Sequence, residues 1–177
     1  MKVFGRKDVY LSDMSRLAVY KTEIVLPVRP RPDPRTGTLN IPRDSLSLDI
    51  LRLALEKTAR DHGGAVCFGP EAFYYDCEGL RHPALFSLHT ADFVRGIGIN
   101  IAADGRLTFA YDASPPGELV GKFNAQPQVA EQICKEIAHN YAVIAVMRAQ
   151  AKLGFRVGLS QAASRGRKVV LVTGVKP

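Results

Sequence analysis

The chain contains no uninterrupted apolar run of roughly 18 or more residues, which excludes a simple membrane-spanning helix. Its opening residues, MKVFGRKDVYLSDMSR, lack the apolar segment a secretory signal needs, so the expectation is a cytoplasmic protein with no membrane partner. Only three cysteines are present, Cys67, Cys77 and Cys134. An odd number at irregular spacing argues against a disulfide framework and fits free thiols in a reducing compartment.

Motifs for chemistry are equally scarce. Cys67, Cys77, His82 and His89 are zinc-capable, yet no close Cys-x-x-Cys pair fixes two ligands in one turn. The glycines of VRGIGINI lie within strand-like sequence, whereas a dinucleotide fingerprint needs a helix after them to offer its N-terminus to pyrophosphate. Gly96 and Gly98 read instead as a bulge or a close backbone approach. GLSQAASRGRK lacks the Walker spacing, and His62, His82, His89 and His139 stand without the context of a nucleophile and an acid. The sequence nominates no catalytic, cofactor-binding or metal-ligating residue, and no cofactor is expected.

What is present is the material of a packed globule: 46% of residues are hydrophobic and 23% charged across 177 residues, enough for one domain over 1–177. The net charge of +7 is unevenly distributed. Residues 1–44 carry nine Lys or Arg against five Asp or Glu, residues 45–121 six against ten, and residues 122–177 nine against two, or +4, −4 and +7. The basic last third, with Arg165, Arg167 and Lys168 beside Arg156 and Lys152, suits an acidic protein surface or a polyanion. Aromatics interleaved with those charges, which single-strand binders use for stacking, are missing there.

Periodicity supplies the elements. LAVYKTEIVL at 17–26 alternates as a strand, with Ala18, Tyr20, Ile24 and Leu26 on one face. The prolines of 27–44 then predict an extended insertion or arm. A helix is predicted from Ser47, as N-cap, to His62, with Leu51, Ala54, Leu55 and Thr58 inward, Leu46 and Leu51 as a hydrophobic staple, and Gly63 as its stop. Short strands follow near 73–77, 84–89, 95–102 and 106–112, the last pair joined through Asp104-Gly105. Pro127 opens a long helix to Leu153 with Gly154 as its stop and Ala130, Ile133, Ile137, Tyr141, Ile144 and Ala151 as its stripe. FRVGL and KVVLVTGV read as two strands joined by SQAASRGR. Hairpin-linked strands with two helices imply an α+β fold, a largely antiparallel sheet with both main helices on one face. YAVIAVM, at 141–147, is apolar nearly all round and must be covered on two sides or meet another chain.

Several segments carry a resemblance: Ser15 and the strand with Lys21, Thr22 and Ile24; Ala91, Asp92, Ile97 and Gly98 in ADFVRGIGI; LTFAYD; Tyr141-Ala142; Gly154-Phe155-Arg156-Val157; and Val169 to Val172. Together they resemble a family of small proteins from cyanobacteria and plastid genomes, the hypothetical chloroplast reading frame thirty-five family. The resemblance runs nearly end to end, with 27–43 and 114–125 as insertions and Gly96 where the family has an acidic residue. It implies no established activity, but a place beside an ATPase of the AAA class. The resulting expectation is a non-catalytic binding or assembly module in a multi-protein complex, its partner that ATPase or a second copy. Arg165, Arg167 and Lys168 would steer the encounter, and Val143, Val146 and Met147 would hold the partner. The alternative is a nucleic-acid binder using the basic last third.

Overall fold

A computed structural model describes residues 5–11, 16–28, 31–32, 39–40, 45–114, 127–164 and 167–176. The first strands, β1 (Gly5–Leu11) and β2 (Arg16–Val25), pair antiparallel. Two short pieces, β3 (Arg31–Pro32) and β4 (Leu39–Asn40), pair with one another inside the proline-rich arm. Helix α1 (Leu46–Asp61) is followed by β5 (Ala65–Phe68), a short 3-10 turn at Gly69–Glu71, and the ribbon β6 (Phe73–Tyr75) with β7 (Arg81–Pro83). Strands β8 (Phe86–His89), β9 (Ile97–Ile101) and β10 (Arg106–Asp112) complete a six-stranded antiparallel sheet in the order β1-β2-β10-β9-β8-β5. Helix α2 (Pro127–Lys152) and a separate hairpin, β11 (Arg156–Ser164) with β12 (Arg167–Val175), follow. The protein is α+β.

Period two decides which face of the sheet is dry. Tyr20, Phe109 and Ile99 lie side by side across three strands, Leu107 and Ile101 pair across two, and all are buried. Leu51, Ala54 and Leu55 of α1 and Ile133 and Ile137 of α2 close over that face in a single core. Both helices therefore sit on one side, where each fully buried Leu or Ile contributes about 1.5–3 kcal/mol relative to exposure.

The β6–β7 ribbon crosses the opposite face at Gly98, where a Cβ would lie 2.5 Å from the Tyr74 ring. That is the close approach the sequence suggested, and Gly96 beside it adopts φ +80° against the His89 ring. Near the ribbon, Arg95 and Asp112 form an ion pair at 3.4 Å with both side chains wholly buried. Asp112 also accepts the Ser114 amide at 2.7 Å, and the Arg95 guanidinium donates to the Ser114 carbonyl.

The sequence reading did not mark β5 or β7 as strands, and other elements differ from it too. The N-cap of α1 is Ser45 in extended conformation rather than Ser47; Ser47 lies buried in the first turn and bonds to Tyr141. The Leu46–Leu51 staple therefore does not form, and Leu46 is exposed. The basic segment SQAASRGR is mostly strand, since Gln161 to Ser164 pair with Val170 to Arg167 and leave two residues for the connection. In β1, the charges of Arg6, Lys7 and Asp8 hide any alternation, and an edge strand tolerates them.

The buried pair gives the fold a sharp test. Asp112→Asn strands the Arg95 charge in a dry site and is expected to cost about 3 to 5 kcal/mol, read as a lower midpoint in denaturant unfolding. Arg95→Met combined with Asp112→Leu should recover most of that loss, whereas breaking the exposed Arg52–Glu56 pair should cost about 0.5 kcal/mol or less.

Candidate functional site

The first half of α2 is fixed by the sheet; the second half is not. Ala130, Ile133, Cys134, Ile137, Ala138 and Tyr141 are buried, and no later residue of the helix is. Ile144, expected in the stripe, is only partly buried and Ala151 is exposed, because the sheet ends before the helix does. The helix stops where predicted, with Gly154 at φ +82° and the Phe155 amide bonded back to the Gln150 carbonyl at 3.1 Å.

The chain then reverses into β11 and β12, nine residues each in unbroken register. Alternation places Val157 and Leu159 on the same ribbon face as Val170 and Val172. That face turns toward α2, since a Cβ on Gly174 would meet Gln150 and Phe155 at 3.1 to 3.2 Å. A two-stranded ribbon is too small to cover the helix completely, and Val146 (42%), Leu153 (71%) and Leu159 (54%) remain exposed, while Leu171 and Val175 are exposed on the ribbon's outer face.

Between α1, α2 and the hairpin this incomplete cover leaves two neighbouring clefts that share Lys57. One, of about 420 Å³, is lined by Asp61, Glu136, His139, Asn140, Val143 and hairpin residues including Leu159 and Val170. The other, of about 480 Å³, has Ile144, Met147 and Ala151 as floor, Leu53 and Val157 as walls, and Arg60 and Arg148 among its lining. Lys57 is paired with Asp61, and Arg52 with Glu56. Arg60, Arg148, Lys152 and Arg156 have no ion pair among the described residues.

At the edge of the first cleft His62, just past the end of α1, bridges two elements. Its Nε2 lies 2.6 Å from Glu136 Oε2 on α2 and its Nδ1 3.4 Å from Asp92 Oδ2. Gln132 donates to the other Glu136 oxygen, and Asn140 donates to the Thr58 hydroxyl at 2.9 Å, so the two helices are tied by polar contacts as well as by the core. The Glu136 carboxylate holds the His62 imidazolium above its ordinary 6.5 against the opposing pull of burial, and Asp92 adds to it. His82 is engaged elsewhere, 2.9 Å from Asp76, and His89 contacts the Phe73 carbonyl. Among the described residues no group of three or more His, Cys, Asp or Glu converges to hold a metal.

The structure brings together half of the residues nominated from sequence. Val143 lines the first cleft, Met147 the second, and Val146 is exposed one turn from Val143. Arg165 lies outside the described residues; Arg167 and Lys168 begin β12, but their side chains lie outside them too. Sequence reasoning missed Leu53, Lys57 and Arg60. Their spacing of four and three residues marks a second, outward stripe on α1, a signal that was there to be used.

The His62 bridge makes the helix pair sensitive to pH. With the folded pKa above the unfolded 6.5, the stabilisation is complete below 6.5 and is lost as pH rises through the folded value. The stability advantage of the native chain over His62→Gln should therefore be largest at mildly acidic pH and shrink as pH rises, while Glu136→Gln should flatten the same profile; thermal unfolding across that range checks both.

No protein-family model matches the chain, nor does any curated protein or solved structure.

Proposed function

We propose that the protein is a non-catalytic binding and assembly module that works in the cytoplasm within a multi-protein complex. One observation supports this most directly: α2 and the ribbon face turned toward it leave Val146, Leu153 and Leu159 exposed, and Leu171 and Val175 are exposed on the ribbon's other face. No helix among the described residues is long and apolar enough to cross a membrane. The likeness to the reading frame thirty-five family favours an ATPase of the AAA class as the partner, and self-association is the other arrangement such a surface serves.

Magnitudes assign the roles. An exposed charge pair is worth about 0–1 kcal/mol, whereas a large apolar side chain taken fully out of water contributes about 1.5–3 kcal/mol. Affinity therefore rests on the α2 and hairpin residues, and the basic last third accelerates encounter. That same charge, +7 over residues 122–177, favours nucleic acid as the second reading.

Val146→Asp, at an exposed position, should change stability by no more than about 0.5 kcal/mol. In co-purification from the native host and in sedimentation velocity it should speed dissociation of the complex, and reversal of Arg165, Arg167 and Lys168 should slow its formation. Unchanged assembly in both variants, together with RNA binding that weakens steeply with salt, would replace the module reading with the nucleic-acid one.

A further inference from the structure

We propose that the cleft floored by Ile144, Met147 and Ala151 is a docking groove for an acidic amphipathic segment of a partner protein, one that presents apolar side chains flanked by Asp or Glu. The proposal rests on the reading of the chain as a binding module and names the chemistry of what it binds.

Charge decides the class of occupant. The groove has Lys57, Arg60 and Arg148 at its margins, and no carboxylate is among the residues that line it. Of the chain's own acids nearby, Asp61 holds Lys57 and Glu56 holds Arg52, while Asp49 shares an adjoining cleft with Arg148 but forms no ion pair with it. Arg60 and Arg148 thus lack a counter-charge among the described residues, and a bound segment would supply it. Guanidinium groups suit this role, because they meet carboxylates in two-pronged geometry and shed water more readily than an ammonium.

Shape and lining narrow the class further. A volume of about 480 Å³ accepts a few apolar side chains, and Met147 in the floor adapts to more than one shape. Nucleic acid fits less well. No aromatic ring lines the groove to stack a base, and a phosphate chain running on into the neighbouring cleft would meet Asp61 and Glu136.

The test is selection of a phage-displayed library of random peptides on the purified full chain. The expected outcome is enrichment of peptides with Leu, Met or Phe at helical spacing among Asp and Glu. A selected peptide, made synthetically, should bind at least about tenfold more weakly to Met147→Asp and to the double variant Arg60→Glu/Arg148→Glu, both shown to be folded by circular dichroism. The double variant, panned in its turn, should select basic peptides, a reversal that a merely destabilised protein would not produce. Neutral or basic peptides from the native chain, no enrichment, or a selected peptide indifferent to Arg60→Glu/Arg148→Glu each overturn the groove assignment. So does a second copy of the chain in the groove, seen as a dimer that Met147→Asp dissolves. If binding survives those changes but is lost in Val146→Asp, the groove fails while the module reading stands.

Discussion

A mismatch of lengths governs this molecule. Helix α2 has 26 residues, about 39 Å at 1.5 Å per residue. The sheet beneath it is about 24 Å across its six strands, and its longest strand, β2, is about 34 Å along its ten residues. The helix is longer than the sheet in either direction. Full burial stops at Tyr141; Ile144 and Ala145 still pack against the core, and the rest of the segment to Lys152 relies on other cover.

The chain supplies that cover from two sources of different quality. Helix α1 is firmly placed by Leu51, Ala54 and Leu55 in the core, by Thr58 through Asn140, and by His62 through Glu136, so it forms a rigid wall. Among the described residues the β11–β12 ribbon packs chiefly on α2, and ribbons of two strands are marginal alone. One rigid wall, one thin wall and a projecting floor make a trough. Its apolar lining is the inevitable inside of an incompletely covered helix, and arginines with no ion pair among the described residues are what distinguish it from an ordinary packing defect.

The opposite face of the sheet has a different logic. There the β6–β7 ribbon lies close enough that Gly98 admits no side chain, and the buried Arg95–Asp112 pair fixes the end of β10 to the loop before β9. Such a pair contributes little net stability compared with an apolar substitute, since desolvation offsets its attraction, but it penalises any arrangement that separates its members. The segments ADFVRGIGI and LTFAYD hold residues that tie the fold together: Asp92 on His62, Asp112 on Arg95, Gly98 under Tyr74.

Local signals in the sequence determined the elements and their inward faces. Alternation marked β2 and β10, the 3.6-residue stripe marked α1 and the first half of α2, and Gly63, Gly105 and Gly154 marked ends and turns that need positive φ. The apolar run YAVIAVM also announced that the middle of α2 needs cover from more than one side. These features are legible because each depends on neighbours within one or two turns of chain. Only the tertiary structure decided that α2 outruns its sheet, since strand order and helix placement come from pairings such as Phe109 with Tyr20, 89 positions apart. Only it joined Arg60 to Arg148 across one groove, and His62 to Glu136 over 74 positions, because a side chain's partner depends on where the backbone brings distant segments together, and no local period encodes that.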